Sequence, residues 1–132
     1  MEEIIKGALY LVSTPIGNLG DITYRAVHIL SSVDLIAAED TRNSAVLLRH
    51  YGISSRTVSY HSYNQKKETP RLIGRMQNGE SVALISDGGT PGISDPGYAL
   101  VKAAVDEQIR VIPIPGATAA IAALVSSGLP SN

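Results

Sequence analysis

Three charged side chains in one short segment form the part of this sequence best suited to proton transfer. Glu39, Asp40 and Arg42 directly follow residues 34–38, a mostly apolar run. A carboxylate in such a place can accept a proton, hold a ribose hydroxyl or attract a cation, and a nearby arginine can orient it. The same acids also suit the first turn of a helix, where the macrodipole favours negative charge. The segment is therefore a candidate catalytic site, and a structural role for its acids stays open.

A second candidate site is the loop at residues 86–97, which reads SDGGTPGISDPG. Its four glycines follow the apolar run 82–85. Glycine has no Cβ, so its backbone can approach a ligand closely. Open α/β sheets bind ligands in the loops that follow their strands. The loop therefore predicts a small-molecule site, in which Asp87 either contacts the ligand or bonds its own turn, whereas Asp95 is better explained as a helix cap.

Two further loops, at residues 13–21 and 113–118, follow the first and last apolar runs. The carboxyl ends of parallel strands lie at one edge of a sheet, so we expect all four loops to converge there. Neither G-x-G-x-x-G nor G-x-x-x-x-G-K-[ST] occurs in the chain. The loops therefore lack the usual dinucleotide fingerprint and the Walker A phosphate cradle.

The elements that position these loops alternate along the chain. Apolar runs predict five strands, at residues 8–12, 34–38, 57–60, 81–86 and 110–113. Segments with helical periodicity separate them. This alternation predicts an α/β fold: a mostly parallel five-stranded sheet with helices on both faces.

Helix limits are predicted from capping residues. The expected starts combine a short polar side chain with, in two cases, a following proline: Asp21, Thr41, Thr69 with Pro70, and Asp95 with Pro96. The last helix is expected over residues 117–127. Glycines are expected to end three of the helices, because they adopt the left-handed conformation after a last turn: Gly52, Gly79 and Gly128.

Composition excludes several functional classes. The net charge of −1 argues against a strongly basic nucleic-acid clamp, although RNA stays open as a substrate. The chain has no cysteine, and its three histidines share no ligand spacing, so we expect no disulfide and no metal site. Neither a signal peptide nor a membrane-spanning run is recognisable. We therefore expect a cytoplasmic protein without membrane contact.

A small basic cluster follows the third predicted strand. It consists of Lys66, Lys67 and Arg71. Such a cluster is more commonly a solvated face than an RNA-phosphate contact, but both interpretations stay open.

Taken together, the four loops resemble those of the N-terminal domain of the tetrapyrrole methylase superfamily. Within it, they are most similar to the ribosomal RNA small subunit methyltransferase I family. The resemblance covers almost the whole chain. It depends on LYLVSTPIGNLGDI at 9–22, AEDTR at 38–42, LISDGGTPGISDPG at 84–97 and IPGATAA at 114–120.

This resemblance implies S-adenosylmethionine as cofactor, in a cleft between two α/β domains. It implies methylation of the 2′-hydroxyl of a cytidine in 16S rRNA of the small ribosomal subunit. Gly89-Thr90-Pro91 matches the superfamily's Gly-Asp-Pro turn, so Thr90 departs from the usual aspartate. The cofactor-binding residues that it implies are Pro15, Asp87, Gly88, Gly89, Thr90, Ile93, Ser94, Pro115, Thr118 and Ala119.

A ribose hydroxyl is a poor nucleophile, so the implied reaction requires a general base or electrostatic stabilisation. Positioning the hydroxyl against the methyl carbon supplies much of the acceleration. Glu39 or Asp40 is our candidate base, with Arg42 orienting the acid or holding a phosphate.

Two other functions compete with this hypothesis. One is methylation of a tetrapyrrole intermediate, against which the segment at 39–42 and Thr90 both count. The other is an adenosyl-ligand binding module without catalysis. A nicotinamide dehydrogenase is disfavoured because the glycine spacing is wrong.

The C-terminal residues predict how the chain is divided into domains. We expect residues 1–128 to form the cofactor-binding domain and residues 129–132 to begin a linker to a second domain. A half-cleft should bind cofactor weakly and show no methyltransferase activity alone. Apolar surface left exposed on such a domain favours a homo-oligomer.

Overall fold

The computed structural model describes residues 1–93 and 96–132, over which five strands alternate strictly with five helices. In chain order these elements are β1 (Leu9–Val12), α1 (Tyr24–Ser32), β2 (Leu35–Ala38), α2 (Thr41–His50), β3 (Thr57–Ser59), α3 (Gln65–Gln77), β4 (Val82–Ile85), α4 (Gly97–Asp106), β5 (Val111–Ile114) and α5 (Ala119–Ser127).

All five strands join one parallel sheet, in the order β3-β2-β4-β1-β5. Leu9 of β1 is in register with Val82 of β4 on one side and with Val111 of β5 on the other. This confirms the predicted fold class, with strand limits within two residues of those expected. The order leaves β3 and β5 as edge strands and places β4 at the centre, between β2 and β1.

Alternation along the strands divides the core into two layers. On one face, Tyr10 and Ile36 pack with Ile29 of α1 and Leu48 of α2. On the other face, the sheet packs against α3 and α4, for example through Leu72. Successive strand side chains point to opposite faces, so a run that is apolar at every position needs helices on both sides. The prediction of helices on both faces is confirmed.

Two helix starts differ from those predicted because another side chain reaches the free backbone amides. At α1, Thr23 rather than Asp21 is the N-cap, and its Oγ1 accepts a hydrogen bond from the Ala26 N–H at 2.9 Å. At α2, Asp40 rather than Thr41 is the cap, and its Oδ1 accepts from the N–H of Arg42 at 2.9 Å.

The third helix starts earlier than predicted. It begins at Gln65, so Thr69 is not its cap and Pro70 lies inside the helix. Residues 65–68 read QKKE, which are strong helix formers and extend the helix before the proline. Pro70 is the sixth residue of α3, where a proline removes one N–H donor and its ring crowds the carbonyl four residues earlier, so the helix continues through it at a local cost.

The remaining helix limits follow the prediction more closely. Asp95, the predicted cap of α4, lies outside the described residues, and α4 begins at Gly97. Helix α5 begins at Ala119, two residues later than expected, and ends as predicted at Gly128, whose φ is +79°. Over the described residues, no helix is both long and apolar enough to cross a bilayer.

The cap of α2 gives a first prediction. Asp40→Ala removes the acceptor for the first backbone amides of the helix and should lower the free energy of unfolding by about 1 kcal/mol. Thr41→Ala is the matched control, with an expected change within about 0.5 kcal/mol. Urea denaturation measures both. A larger loss in Thr41→Ala than in Asp40→Ala would contradict the assigned cap.

Candidate functional site

The loops after β1 and β4 are joined by backbone hydrogen bonds at the carboxyl edge of the sheet. Thr14 N–H donates to the Gly89 carbonyl at 3.0 Å, and Gly89 N–H donates to the Thr14 carbonyl at 2.9 Å. This antiparallel bridge is short and lies outside the main ladders. It fixes the glycine-rich loop above the end of β1 and so confirms the expected convergence of these two loops.

A pair of hydroxyl groups adds the loop after β5 to the same junction. Ser13 Oγ and Thr90 Oγ1 are hydrogen-bonded at 2.8 Å. Thr90 Oγ1 also donates a hydrogen bond of 3.4 Å to the Ala117 carbonyl. Ser13 is buried. Thr90, in the loop after β4, therefore joins that loop to the loops after β1 and β5.

Close backbone approach makes glycine necessary at this junction. A Cβ on Gly116 would lie 2.9 Å from Ser13 Cβ, and one on Gly88 would lie 3.1 Å from the Pro15 carbonyl oxygen. Gly89 has a φ of +81°, which side-chain-bearing residues rarely adopt. We call the contacts of Ser13, Thr14, Gly89, Thr90 and Ala117 the loop junction.

A cavity of about 300 Å³ lies beside the loop junction, between the β1 loop, the end of β4 and helix α2. We call it the edge cavity. Its lining residues are Thr14, Pro15, Gly17, Asn18, Leu19, Asn43, Ser44, Val46, Leu47, Ile85, Ser86 and Asp87. This lining mixes apolar and polar groups. It contains one carboxylate and, among the described residues, no lysine, arginine or histidine, so it favours a ligand with positive or no charge.

Helix α2 is tied to the rim of this cavity by two side chains. Asn43 Nδ2 donates to the Asp87 carbonyl at 3.4 Å, and the Tyr51 hydroxyl donates to the Leu19 carbonyl. These contacts place the start of α2 against the β4 loop and its end against the β1 loop.

Several of the predicted site residues divide among four cavities. Pro15 and Asp87 line the edge cavity. Glu39 lines two further hollows: a narrow one of about 10 Å³ that shares Ile85 and Ser86 with the edge cavity, and a wider one of about 650 Å³ that shares no residue with it. Thr118 lines a fourth space of about 420 Å³ on the other side of the β1 loop. The structure therefore brings these residues to one edge of the sheet, although not into a single cavity.

Several other predicted residues line none of these cavities, and Asp40 takes the structural role at a helix start that the sequence left open. Asp40 caps α2, and the Arg42 side chain is 95% exposed, with its Nε 3.9 Å from Asp40 Oδ1. Ile93, Pro115 and Ala119 lie exposed near the carboxyl edge. Ser94 lies outside the described residues.

Sequence reasoning missed the polar residues that helix α2 and the β1 loop add to the cavity. Asn43 and Ser44 line it, yet neither was a candidate, and Asn18 lies in the predicted loop at residues 13–21 without having been singled out. Asn43 and Ser44 follow the Asp40 cap by three and four residues, so they lie in the first turn of α2. The one sequence signal for Asn43 and Ser44 was the predicted start of a helix directly after the second strand, at the edge where the loops converge.

Comparison with known proteins identifies the family. The family model for the tetrapyrrole (corrin/porphyrin) methylases matches residues 8–132. The chain belongs to this family. The match begins just before β1 and includes all four strand-end loops.

Curated relatives are similar over nearly the whole chain. It is 59% identical over 128 residues to the ribosomal RNA small subunit methyltransferase I of Mesorhizobium japonicum, which covers 97% of this chain and 44% of the relative. It is 59% identical to the Synechocystis protein of that name, over 96% of this chain and 45% of the relative. The Escherichia coli O157:H7 protein is 52% identical, over 96% and 44%. The chain thus spans less than half the length of these relatives.

Solved structures share the fold. A uroporphyrin-III-C-methyltransferase from Thermus thermophilus has a TM-score of 0.69 and 26% identity, over 96% of this chain and 54% of that one. A cobalt precorrin-4 methyltransferase has a TM-score of 0.67 and 18% identity, over 98% and 55%. At 18% identity, the second likeness shows the fold alone.

The hydroxyl pair of the loop junction gives a second prediction. Thr90→Val leaves the buried Ser13 hydroxyl without this partner and should lower the free energy of unfolding by about 1–2 kcal/mol. Thr90→Ser keeps the hydroxyl and should stay within about 0.5 kcal/mol of the parent chain. Urea denaturation distinguishes them. Equal stabilities of the two variants would mean that the hydroxyl pair does not hold the loops.

Close packing at Gly116 gives a third prediction. Gly116→Ala places a Cβ against Ser13 and should lower the free energy of unfolding by about 1–3 kcal/mol, because the β5 loop must move. Gly74→Ala is the control, since nothing lies within 4 Å of its added Cβ inside helix α3. We expect that control to be neutral or more stable by up to about 1 kcal/mol. Thermal unfolding compares them, and a neutral Gly116→Ala would refute the close approach.

Proposed function

We propose that this chain is the cofactor-binding part of a methyltransferase that acts on the 2′-hydroxyl of a cytidine in 16S rRNA. The observation that most supports this proposal is 59% identity to proteins named ribosomal RNA small subunit methyltransferase I. The uroporphyrin-III-C-methyltransferase from Thermus thermophilus, in contrast, is 26% identical. A small-subunit RNA substrate is therefore better supported than a tetrapyrrole. Such a reaction would take place in the cytoplasm, where ribosomal subunits lie.

The residues of the carboxyl edge fit S-adenosylmethionine. When bound, this cofactor supplies an electrophilic methyl group on a positively charged sulfur. Asp87 is the carboxylate of the edge cavity, and no cationic side chain of the described residues lines that cavity. A negative charge beside a sulfonium is favourable, and because Asp87 is exposed, water screens part of this attraction. Leu47, Val46 and Ile85 offer apolar contact to the uncharged parts of the ligand.

Glu39 is the proposed proton acceptor. It follows β2 directly. It lines both the narrow hollow that shares Ile85 and Ser86 with the edge cavity and the wider hollow of about 650 Å³. In the proposed reaction, a Glu39 carboxylate oxygen would take the proton of the ribose 2′-hydroxyl. The hydroxyl oxygen would bond to the methyl carbon while the bond from that carbon to sulfur breaks, so that S-adenosylhomocysteine leaves with a neutral sulfur. Asp40 is less suited to this role because backbone amides of α2 already occupy its carboxylate. Arg42 is exposed, and its contact with Asp40 at 3.9 Å leaves guanidinium N–H donors for a phosphate of the substrate.

We also propose that a second domain completes the cleft, since the relatives are more than twice as long as this chain. Residues 1–128 would then form one wall, and residues 129–132 would lead to the other. With one wall, the chain should hold cofactor weakly. The apolar side chains of Ile121 and Val125 on α5 are exposed, and association of the protein with a second copy stays a prediction.

Cofactor binding gives the fourth prediction. In isothermal titration calorimetry, the chain should bind S-adenosylmethionine saturably, and Asp87→Asn should weaken that binding roughly three- to tenfold through loss of the carboxylate's attraction to the sulfonium. Binding of S-adenosylhomocysteine, whose sulfur is uncharged, should change less. Asp106→Asn, which removes a carboxylate paired with Lys102 on α4, is the matched control. Absence of saturable binding to either ligand would overturn the cofactor assignment.

Catalysis gives the fifth prediction. A chimera that joins this chain to the part of the Mesorhizobium japonicum relative beyond the matched residues restores the length of the relatives. Glu39→Gln in that chimera should reduce methyl transfer to small ribosomal subunits about 100-fold or more, because the proton acceptor is lost, with cofactor affinity unchanged.

Asp40→Asn is the comparison variant for this experiment. Asparagine still caps a helix, so this change removes charge but keeps the start of α2. We expect a smaller loss of transfer, measured with radiolabelled methyl groups. A Glu39→Gln chimera as active as its parent would remove Glu39 from the mechanism.

A further inference from the structure

A second groove runs along the outer side of the edge strand β3 and shares no lining residue with the edge cavity. Its volume is about 490 Å³. The lining residues are Leu35, Thr41, Arg56, Thr57, Val58, Ser59, Asn64, Glu68, Arg71, Leu72 and Arg75. Eight of these eleven are polar or charged, so the groove suits a hydrophilic ligand. We call it the arginine groove.

The segment that builds this groove is strongly basic within a nearly neutral chain. Residues 56–75 contain five of the eleven Lys and Arg residues and one of the twelve Asp and Glu residues. Their net charge is therefore +4, whereas the other residues together carry −5. Positive charge concentrated on one face attracts polyanions even when the whole protein is slightly acidic.

The three arginines differ in how strongly the protein holds them. Arg71 pairs with Glu68 at 3.2 Å, and Arg75 pairs with Glu80 at 3.3 Å. Arg56 is exposed and has no hydrogen-bond or ion-pair partner for its side chain among the described residues. A guanidinium has five N–H donors, so a single carboxylate leaves donors available at Arg71 and Arg75 as well.

The groove connects the two ends of the sheet. Arg56 directly precedes β3 at the amino edge, and Arg75 lies near the end of α3. At the other end the groove is lined by Thr41, the first residue of α2, which follows Glu39 and Asp40 in the chain. One turn before Arg71 on α3, Lys67 extends the same helix face, since residues four apart are neighbours.

We propose that the arginine groove binds the sugar–phosphate backbone of an RNA strand and leads it toward the carboxyl edge of the sheet. This proposal rests on the proposed function, because it assigns a path to the RNA substrate of that same site. Arginine is the residue best matched to phosphate oxygens, which it contacts with two parallel N–H donors. A row of guanidiniums along one groove fits a chain of phosphates better than a single phosphate ion. The mostly polar lining suits an RNA backbone better than it suits an apolar peptide.

Binding of single-stranded RNA tests the groove without any methyl transfer. The probe is a fluorescein-labelled RNA of about 12 nucleotides and mixed sequence, titrated with the full chain at about 50 to 200 mM salt. Arg56→Gln should weaken binding roughly threefold and reduce the salt slope of log K by about 0.7. Combining it with Arg71→Gln and Arg75→Gln should reduce the slope by about 2.

Arg110→Gln is the matched control. Arg110 is an exposed arginine directly before β5, the opposite edge strand, just as Arg56 directly precedes β3. Its loss removes the same charge from the protein, and we expect RNA binding like that of the parent chain. Circular dichroism melting confirms that each variant is folded, and Arg56→Gln alone suffices if the triple variant unfolds.

The outcomes separate the alternatives. Selective loss of RNA binding in Arg56→Gln supports the groove, whereas equal behaviour of Arg56→Gln and Arg110→Gln overturns it. Inorganic pyrophosphate and unlabelled RNA are compared as competitors at equal phosphate concentration. Equally strong competition by the two would indicate a site for small anions and would also overturn the proposal. If Arg56→Gln has no selective effect on RNA binding but the chain still binds S-adenosylmethionine, the arginine groove is refuted and the proposed function is not. The two proposals can therefore fail separately.

Discussion

The contact between the β1 and β4 loops is the constraint on which the candidate site depends. The paired amides and carbonyls of Thr14 and Gly89 hold two loops whose strands are neighbours in the sheet. The hydroxyls of Ser13 and Thr90 then attach this pair to the β5 loop. Backbone groups that bond each other across loops are fixed without long side chains. The edge of the sheet can therefore keep small residues and still have a defined shape.

Much of the fold follows from the sequence because its signals are local and repeated. Runs such as 82–85, apolar at every position, identify strands buried on both faces, and the helical segments between them require parallel crossovers. Convergence of the four loops follows from that topology alone. The starts of helices were less predictable, since neighbouring residues compete for the same amides. Asp40, not Thr41, caps α2. The strong helix formers before Pro70 start α3 at Gln65, five residues before the proline that was predicted to mark its first turn.

The parts of the site that the sequence did not reveal depend on contacts between distant residues. Asn43 reaches the Asp87 carbonyl across 44 positions of the chain, and nothing in its local sequence marks that contact. Likewise Asp40 was a catalytic candidate by residue type, yet its carboxylate faces the backbone of its own helix. Residue type thus placed both acids at the carboxyl edge of the sheet, whereas the helix-capping contact of Asp40 became visible only in the folded chain.

The central claim is that the loop junction forms the wall of an adenosyl-ligand site. Amide chemical shifts of the isotope-labelled chain during titration with S-adenosylmethionine test it most directly. We predict that the largest changes fall at Thr14, Gly89 and Ala117, and at Asp87 on the adjoining cavity. Changes centred on the amino edge of the sheet or around α3, with the junction amides unmoved, would contradict the account.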